Sequence, residues 1–553
     1  MVYMIDAHVR GSTVQLVRRA LKEEVELQKR SQGDSFEGSS AALRSKMRTF
    51  YTILRNVISR RMAKYSEKKL ENMVLLSDTL LSEGHGSIEV RDPPTVAQER
   101  IIKSLVKVVF HQMSISKSDQ VDPGQANLLL SLFVNKIYCD RFVESSSISH
   151  PQGRLKDAVS AVMASSNPSE TYTKRTPADK TFSVYLFCCL EDVPDFQEGS
   201  LLTEEFDKID LDGDEDLEGD TLTASTVSPS VLHRLPFSKQ TFSQTRITLL
   251  PSNELEGLWE SLYFDDRIKQ RMYSYATIAL KIANFVDLAQ SGAHAFANNK
   301  LLLVQGPPGT GKTTVCKALC QKLSIRREFS PEADPLSNSY KGIVIEISCS
   351  RIFSRWFGES SKNLTGIFAD VENLLKLHQG DCTFVCLLID EVEAIAFSRN
   401  NLLNKNESTD GVRVVSTLLT QLDLLKKYNN LLVLATSNLI DSLDPAFLDR
   451  ADGVFYIGNP SATGIAKILA SSLDDLILKK VISTDAVKNI MDVDVYKEAL
   501  VHIAEKCSTF GVSGRTLRKL PLICLSEHFR TLPVTIDNFL LALAHSVVSL
   551  QRA

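Results

Sequence analysis

Cysteine is present but never in a useful pattern. Ten cysteines are spread over 553 residues, and no two form a Cys-x-x-Cys pair. Cys316 and Cys320, like Cys382 and Cys386, are four apart, but both pairs lie in apolar segments without matched histidines. This argues against a zinc module or a disulfide framework, and the cysteines read as small core residues in a reducing compartment. Long apolar runs are also missing. None approaches the roughly 20 residues of a membrane helix. The start, Met1-Val-Tyr-Met-Ile-Asp-Ala-His8, lacks the basic stretch and apolar core of a secretory leader. A soluble protein of the nucleus or cytoplasm is expected. Charge of one sign is lacking too. The formal net charge of -4 gives no global pull toward nucleic acid.

What is present is ample apolar material. Hydrophobic residues make up 43% of the chain, enough for sizeable cores, and the length calls for two or three domains. No internal repeat is visible.

Residues 1–10 have strand character, and 12–30 read as a helix. Residues 41–81 suit a long amphipathic helix, whole or interrupted, with Leu43, Met47, Phe50 and Leu54 on one face. Its other face is basic, with Arg44, Lys46, Arg48, Arg55, Arg60, Arg61, Lys64, Lys68 and Lys69. Further helices are expected at about 96–115 and 124–142. Thr181–Leu190 is a buried-strand candidate. The acidic run from Asp210 to Asp220 is only superficially a calcium loop. With Gly213 at the sixth position, Lys208 and Gly219 fall where carboxylates belong. A solvated acidic linker fits better.

From Leu258 the texture changes. Short β-rich runs at 301–305, 342–348, 383–389 and 430–436 alternate with amphipathic helices, the signature of a parallel sheet covered on both faces. Residues after about 459 are mostly helical.

Between the first of these strands and a helix lies Gly306-Pro307-Pro308-Gly309-Thr310-Gly311-Lys312-Thr313-Thr314, which contains a complete Walker A motif. Its glycines let backbone N–H groups close around phosphate oxygens, and the helix N-terminus adds a positive dipole end. Lys312 is expected on the β- and γ-phosphates and Thr313 on Mg²⁺. Leu387-Leu-Ile-Asp390-Glu391 is the matching Walker B. Asp390 is the second magnesium residue and Glu391 the general base for the attacking water. Asn438 ends the next strand, where an amide helps position that water.

These motifs, in this order, resemble an AAA+ ATPase using ATP and Mg²⁺. Leu443–Asp452 resembles the second region of homology of the narrower AAA clade, and Arg355-Trp356-Phe357-Gly358-Glu359-Ser360 resembles its substrate-gripping pore loop. Residues 400–411 are the expected second pore loop. The C-terminal half then resembles the pachytene checkpoint protein family, also called the thyroid hormone receptor interactor family. The match is carried by Leu258–Leu262, Phe353–Phe357, Ile389–Glu393, Arg413–Val415, Leu418–Asp423, Phe447–Asp452 and Ser513–Pro521. It spans about 250–545 and is faint before that.

The resemblance implies a fold. It is an α/β P-loop parallel sheet sandwiched by helices, followed by a small helical lid and preceded by an α+β N-terminal domain. The expected boundaries are 1–192 for the N-terminal recognition domain, with an insertion at about 30–170. A linker follows at 193–250, the large ATPase domain at 251–457, and the lid at 458–553. Gly458 is the expected hinge.

It also implies a function. A homohexamer would convert HORMA-domain clients from closed to open, in some cases through a HORMA-fold adaptor. The settings would be the meiotic chromosome axis, the recombination checkpoint and the spindle checkpoint, on chromosomes, in the nucleus and in the cytoplasm. Trp356, Phe357 and Gly358 would form the gripping loop. Arg450 would be the arginine finger reaching a neighbouring subunit's nucleotide, and Arg515 the lid arginine on the γ-phosphate. The basic face of 44–69 leaves a nucleic-acid-linked machine as an alternative. A general unfoldase and an ATP-binding scaffold without turnover are two more.

Overall fold

The computed structural model describes residues 2–32, 39–66, 70, 73–76, 94–116, 121–142, 181–192, 235–264, 267–285, 300–327, 336, 340–349, 359–380, 383–397, 409–483 and 490–549. The chain divides into two compact units. One comprises residues 1–194 and 329–337, the other 195–328 and 338–553.

In the first unit, β1 (Val2–Val9) leads into α1 (Gly11–Gln32) and α2 (Ser39–Ala63). There follow β2 (Met73–Leu76), α3 (Val96–Ser116), α4 (Pro123–Phe133), β3 (Val134–Phe142) and β4 (Thr181–Phe187). The strands form one sheet in the order β2-β3-β1-β4. β3 runs antiparallel to β1 and β2, and β4 parallel to β1. The core joins Tyr3 and Ile5 of β1 to Phe50 and Leu54 of α2 and to Phe133, all at most 1% exposed. His8 Nε2 lies 2.9 Å from Asp192 Oδ2, which fastens the end of β1 to the turn after β4.

Two expectations change here. The helix expected over 124–142 stops at Phe133. Asn135-Lys-Ile-Tyr-Cys139 continues as β3, with consecutive residues Ile137–Asp140 buried between two flanking strands. The helix expected over 41–81 stops at Ala63, with β2 beyond it. The stretch expected as an insertion, about 30–170, thus supplies two of the four strands, and its described residues are integral to the core.

The second unit starts with α5 (Lys239–Gln244) and β5 (Thr245–Leu250), so the stretch expected as linker ends inside the ATPase sheet. Next come α6 (Ile268–Phe285), β6 (Leu301–Gln305), α7 (Lys312–Arg326), β7 (Gly342–Ser348), α8 (Glu359–Leu377) and β8 (Phe384–Asp390). The sheet closes with α9 (Thr409–Leu425), β9 (Leu431–Ser437), α10 (Pro445–Leu448) and β10 (Gly453–Tyr456). Strand order is β10-β6-β9-β8-β7-β5, parallel throughout except for β5 at the edge. β8 and β9 are buried on both faces, as their unbroken apolar runs require.

Helix α7 is buried almost all round, so its polar side chains need internal partners. Gln321 both donates to and accepts from the Ser252 backbone, at 3.0 and 3.1 Å. Lys322 lies 2.6 Å from Glu260, with both side chains under 8% exposed. At the other end of the segment before β5, Ser238 N–H, Ser238 Oγ and Thr241 Oγ1 all donate to Asp370 Oδ2 of α8, at 2.9, 2.8 and 2.6 Å.

The lid comprises α11 (Ala462–Leu478), β11 (Ile482–Ser483), α12 (Asp494–Thr509), α13 (Gly514–His528), β12 (Val534–Thr535) and α14 (Ile536–Ser549). Its own core includes Leu469, Leu473, Leu517, Leu520, Phe539 and Leu543. Among the described residues, no helix is long and apolar enough to cross a membrane.

Candidate nucleotide-binding site

A cavity of about 350 Å³ lies where the C-terminal ends of β6, β8 and β9 meet the start of α13. Crevices at strand C-termini are where open α/β sheets bind ligands. Pro308 through Thr314 line it, with Asp390, Glu391, Asn438 and Arg515. Gly306 and Pro307 stand behind, and their carbonyls accept from Lys312 Nζ at 2.9 and 2.7 Å. Burial pushes the Lys312 ammonium down from its ordinary range, while Glu393 and Asp390 pull it back up. A lysine held dry with carboxylates nearby exchanges carbonyl oxygens for phosphate oxygens at little reorganisation cost.

Two glycines in this loop are dictated by geometry. Gly306 has φ +151, and a Cβ there would lie 1.9 Å from the Ile457 carbonyl oxygen. Gly309 has φ +78, and its Cβ would meet Ser513 Oγ at 2.9 Å. The second contact belongs to the lid. Arg515 N–H donates to the Gly309 carbonyl at 3.0 Å, and Ser513 caps α13 by accepting from Thr516 N–H. The lid helix thus starts on the phosphate loop and carries Arg515 into the cavity. Gly458, between β10 and α11, also lines the cavity.

Thr313 Oγ1 donates to Asp390 Oδ1 at 2.6 Å. The two side chains form a pair of neighbouring oxygen donors, the kind a hard divalent cation takes. Thr436 Oγ1 donates to the same Asp390 oxygen at 2.5 Å and accepts from Glu391 N–H at 3.1 Å. Glu391 has a left-handed backbone, φ +55, at a cost of about 1–2 kcal/mol for a residue with a Cβ. That turn of the chain leaves its carboxylate exposed at the cavity while Asp390 stays on the strand. Asn438 is held by Glu393, whose Oε1 accepts from Asn438 N–H at 3.1 Å and from Nδ2 at 3.0 Å.

Arg450 is not among the residues lining its own chain's cavity. Its hydrogen bonds go to Asp423 and Ala446 rather than to the neighbouring Asp449 or Asp452. Its guanidinium makes a fork onto Asp423, Nε to Oδ1 at 3.1 Å and Nη2 to Oδ2 at 2.7 Å, with Nη1 on the Ala446 carbonyl at 2.7 Å. This pairing holds the Asp423 carboxyl below its ordinary range. Trp356, Phe357 and Gly358 lie outside the described residues, as does most of the expected second pore loop, 400–411. The basic face of α2 is partly consumed by the fold. Arg61 is buried, Lys46 pairs with Glu24 at 2.8 Å, and burial pushes Arg55 down from its ordinary range. Cys316, Cys320 and Cys386 are buried, and burial pushes the Cys316 and Cys386 thiols up.

Sequence reasoning gave no individual role to Thr436, Glu393 or Asp423, although the last two lie in segments that carry the family match. Thr436 left a signal, since it sits near the end of β9, two residues before Asn438. Glu393 left only its place two residues after the general base. Asp423 left none, because its partner is 27 residues away in the chain.

Comparison with known proteins agrees with this geometry. Residues 302–459 match the model of the ATPase family associated with various cellular activities (AAA). Residues 461–551 match the TRIP13-like AAA+ ATPase lid C-terminal domain. The chain is 48% identical over 571 aligned positions to Pachytene checkpoint protein 2 of Saccharomyces cerevisiae, covering 100% of both chains. It is 36% identical over 309 positions to the Homo sapiens homolog, covering 54% of this chain and 68% of that one. Among solved structures, C. elegans PCH-2 shares the fold, with a TM-score of 0.52 and 22% identity over 84% of this chain and 98% of that one. With an intact phosphate loop, an Asp-Glu pair at the strand end and a lid arginine in one cavity, the chain belongs to the Pachytene checkpoint protein 2 family of AAA+ ATPases.

Proposed function

We propose that this chain spends ATP to convert HORMA-domain proteins from their closed, partner-bound form to the open form, as a homohexamer. The observation that carries the reading is the full-length match to Pachytene checkpoint protein 2 together with an undepleted catalytic set. The family resemblance supplies the client class, the HORMA-fold adaptor and the meiotic and checkpoint settings. Work on chromosomes, in the nucleus and in the cytoplasm belongs to the same proposal.

In this reading the phosphate-loop N–H groups and Lys312 cradle the β- and γ-phosphates. Thr313 and Asp390 would hold Mg²⁺, which would supply charge neutralisation on the phosphate oxygens. Glu391 accepts a proton from the attacking water and Asn438 helps to orient that water. Arg515 contacts the γ-phosphate from the lid and ties lid angle to nucleotide state. Arg450 reaches the nucleotide of the neighbouring subunit. Trp356, Phe357 and Gly358 belong to the gripping segment, whose two aromatics hold an extended client through flat apolar area that reads no sequence. The partial consumption of the α2 basic face weighs against a nucleic-acid machine.

The test is nucleotide-driven opening of a purified closed HORMA-domain client, with any adaptor present, by wild type and by Trp356→Ala. Opening by wild type, with ATP turnover but no opening by the variant, supports threading. Turnover by wild type with every HORMA client left closed would overturn the client class. Glu391→Gln is expected to retain ATP binding, lose turnover and trap client, because it removes the base and leaves the phosphate cradle whole. Turnover in that variant at wild-type rate would sink the assignment of the base.

A further inference from the structure

Glu393 has no part in the steps above, yet it sits in the middle of them. It lies in the turn after β8 and is 8% exposed. Its Oε1 takes both the backbone N–H and the side-chain Nδ2 of Asn438. Its Oε2 is buried without a hydrogen-bond partner. A buried carboxylate with one oxygen unspent is an expensive way to stabilise a fold. The end of the Asn438 amide that faces Glu393 is the nitrogen, donating to Oε1. That leaves Oδ1 as the end turned away from Glu393, and Asn438 lines the cavity beside the exposed Glu391.

We infer that Glu393 is a positioning residue that locks the Asn438 amide in one orientation, so that Asn438 Oδ1 and the Glu391 carboxylate both accept from the attacking water. A water with two hydrogens directed at two fixed acceptors turns its lone pair toward the phosphorus. A flipped amide would present donors instead and would hold the water in the wrong sense. The Glu393 charge also acts on Lys312, so any change in ATP affinity is read separately, and the positioning role is the part that appears in the rate. It concerns turnover without client, so its success or failure is independent of the client class.

The experiment measures ATP turnover of the full-length protein for wild type, Glu393→Gln, Asn438→Ala and the double variant, with nucleotide affinity and thermal unfolding alongside. Glutamine has the same shape but can face Asn438 with either an oxygen or an NH₂. Glu393→Gln is expected to lower kcat about tenfold to a hundredfold, a loss separate from any shift in KM that follows from removing a charge near Lys312. In the Asn438→Ala background the same change is expected to cost little further kcat, since Glu393 reaches the attacking water through that amide. An equal loss in both backgrounds would overturn the inference, as would a rise in KM at constant kcat. Glu393→Asp keeps an acceptor-only group, one methylene shorter, and is expected to retain more kcat than Glu393→Gln. The reverse order would show that fixing the amide is not what Glu393 supplies, and this comparison remains available if the double variant does not fold.

Discussion

At the scale of single residues, the costly groups gather around the nucleotide cavity. Glu391 accepts a left-handed backbone, Glu393 is kept dry, and Lys312 is desolvated. Such strain persists only where the surroundings over-determine it. Lys300, at the start of β6, is another costly group. It is 3% exposed, its Nζ donates to the Lys426 carbonyl at 3.2 Å, and burial pushes it down to about 8 against a partial pull from Asp452. The folded state therefore releases this proton near pH 8, while the unfolded chain holds it to about 10.5. Between those values the unfolded state binds more protons, so stability rises with pH, and below about 8 the whole penalty is present. That penalty is on the order of 3 kcal/mol. Lys300→Met is thus expected to unfold at a higher temperature than wild type at pH 7, with the gap closing toward pH 10. Melting curves at both pH values check this, and a gap that does not change with pH would contradict it. Little of this was legible beforehand. The phosphate loop and the Asp-Glu pair announce themselves as contiguous motifs. The pairs Lys300 with Asp452, Arg450 with Asp423 and Asn438 with Glu393 are made by strands and helices meeting, which no local spacing encodes.

At the scale of elements, unbroken apolar runs were the readable ones. Phe384–Ile389 and Leu431–Ala435 belong to doubly buried strands, and nothing competes with that reading. Leu128–Val134 is apolar at every position but Ser131, which fits a helix or a strand, and the chain changes from α4 to β3 within it. The edge strands β5 and β10 are short, with several exposed or half-buried positions, so their patterns are weak. The clamp on Asp370 is also an element-level device, because three donors from the start of the ATPase unit converge on one oxygen of α8. Asp370→Ala is expected to cost about 1–3 kcal/mol, since it leaves a backbone N–H and two hydroxyls without their acceptor. Nucleotide affinity should not change. Denaturant titration and nucleotide binding on the same preparation test this, and weakened binding at full stability would show that the clamp serves the cavity instead.

At the scale of the whole molecule, the question is whether turnover needs a neighbour. Arg450 is absent from its own cavity's lining and is held in a fork by Asp423. If it acts across an interface, Arg450→Ala and Glu391→Gln are each expected to be nearly inactive alone. Co-assembled, they should recover up to about a quarter of wild-type turnover, the share of interfaces in a random ring that pair an intact site with an intact finger. No recovery would place the arginine's role within its own chain.

The Asp370 clamp also bears on how load passes through such a machine. Helix α8 begins at Glu359, directly after residues 351–358, so the same rod has the proposed gripping segment at one end and the incoming chain tied near its middle. Ser238 and Thr241 precede β5 in the chain, so tension arriving along the backbone from the N-terminal side would meet this tie before it met the ATPase sheet.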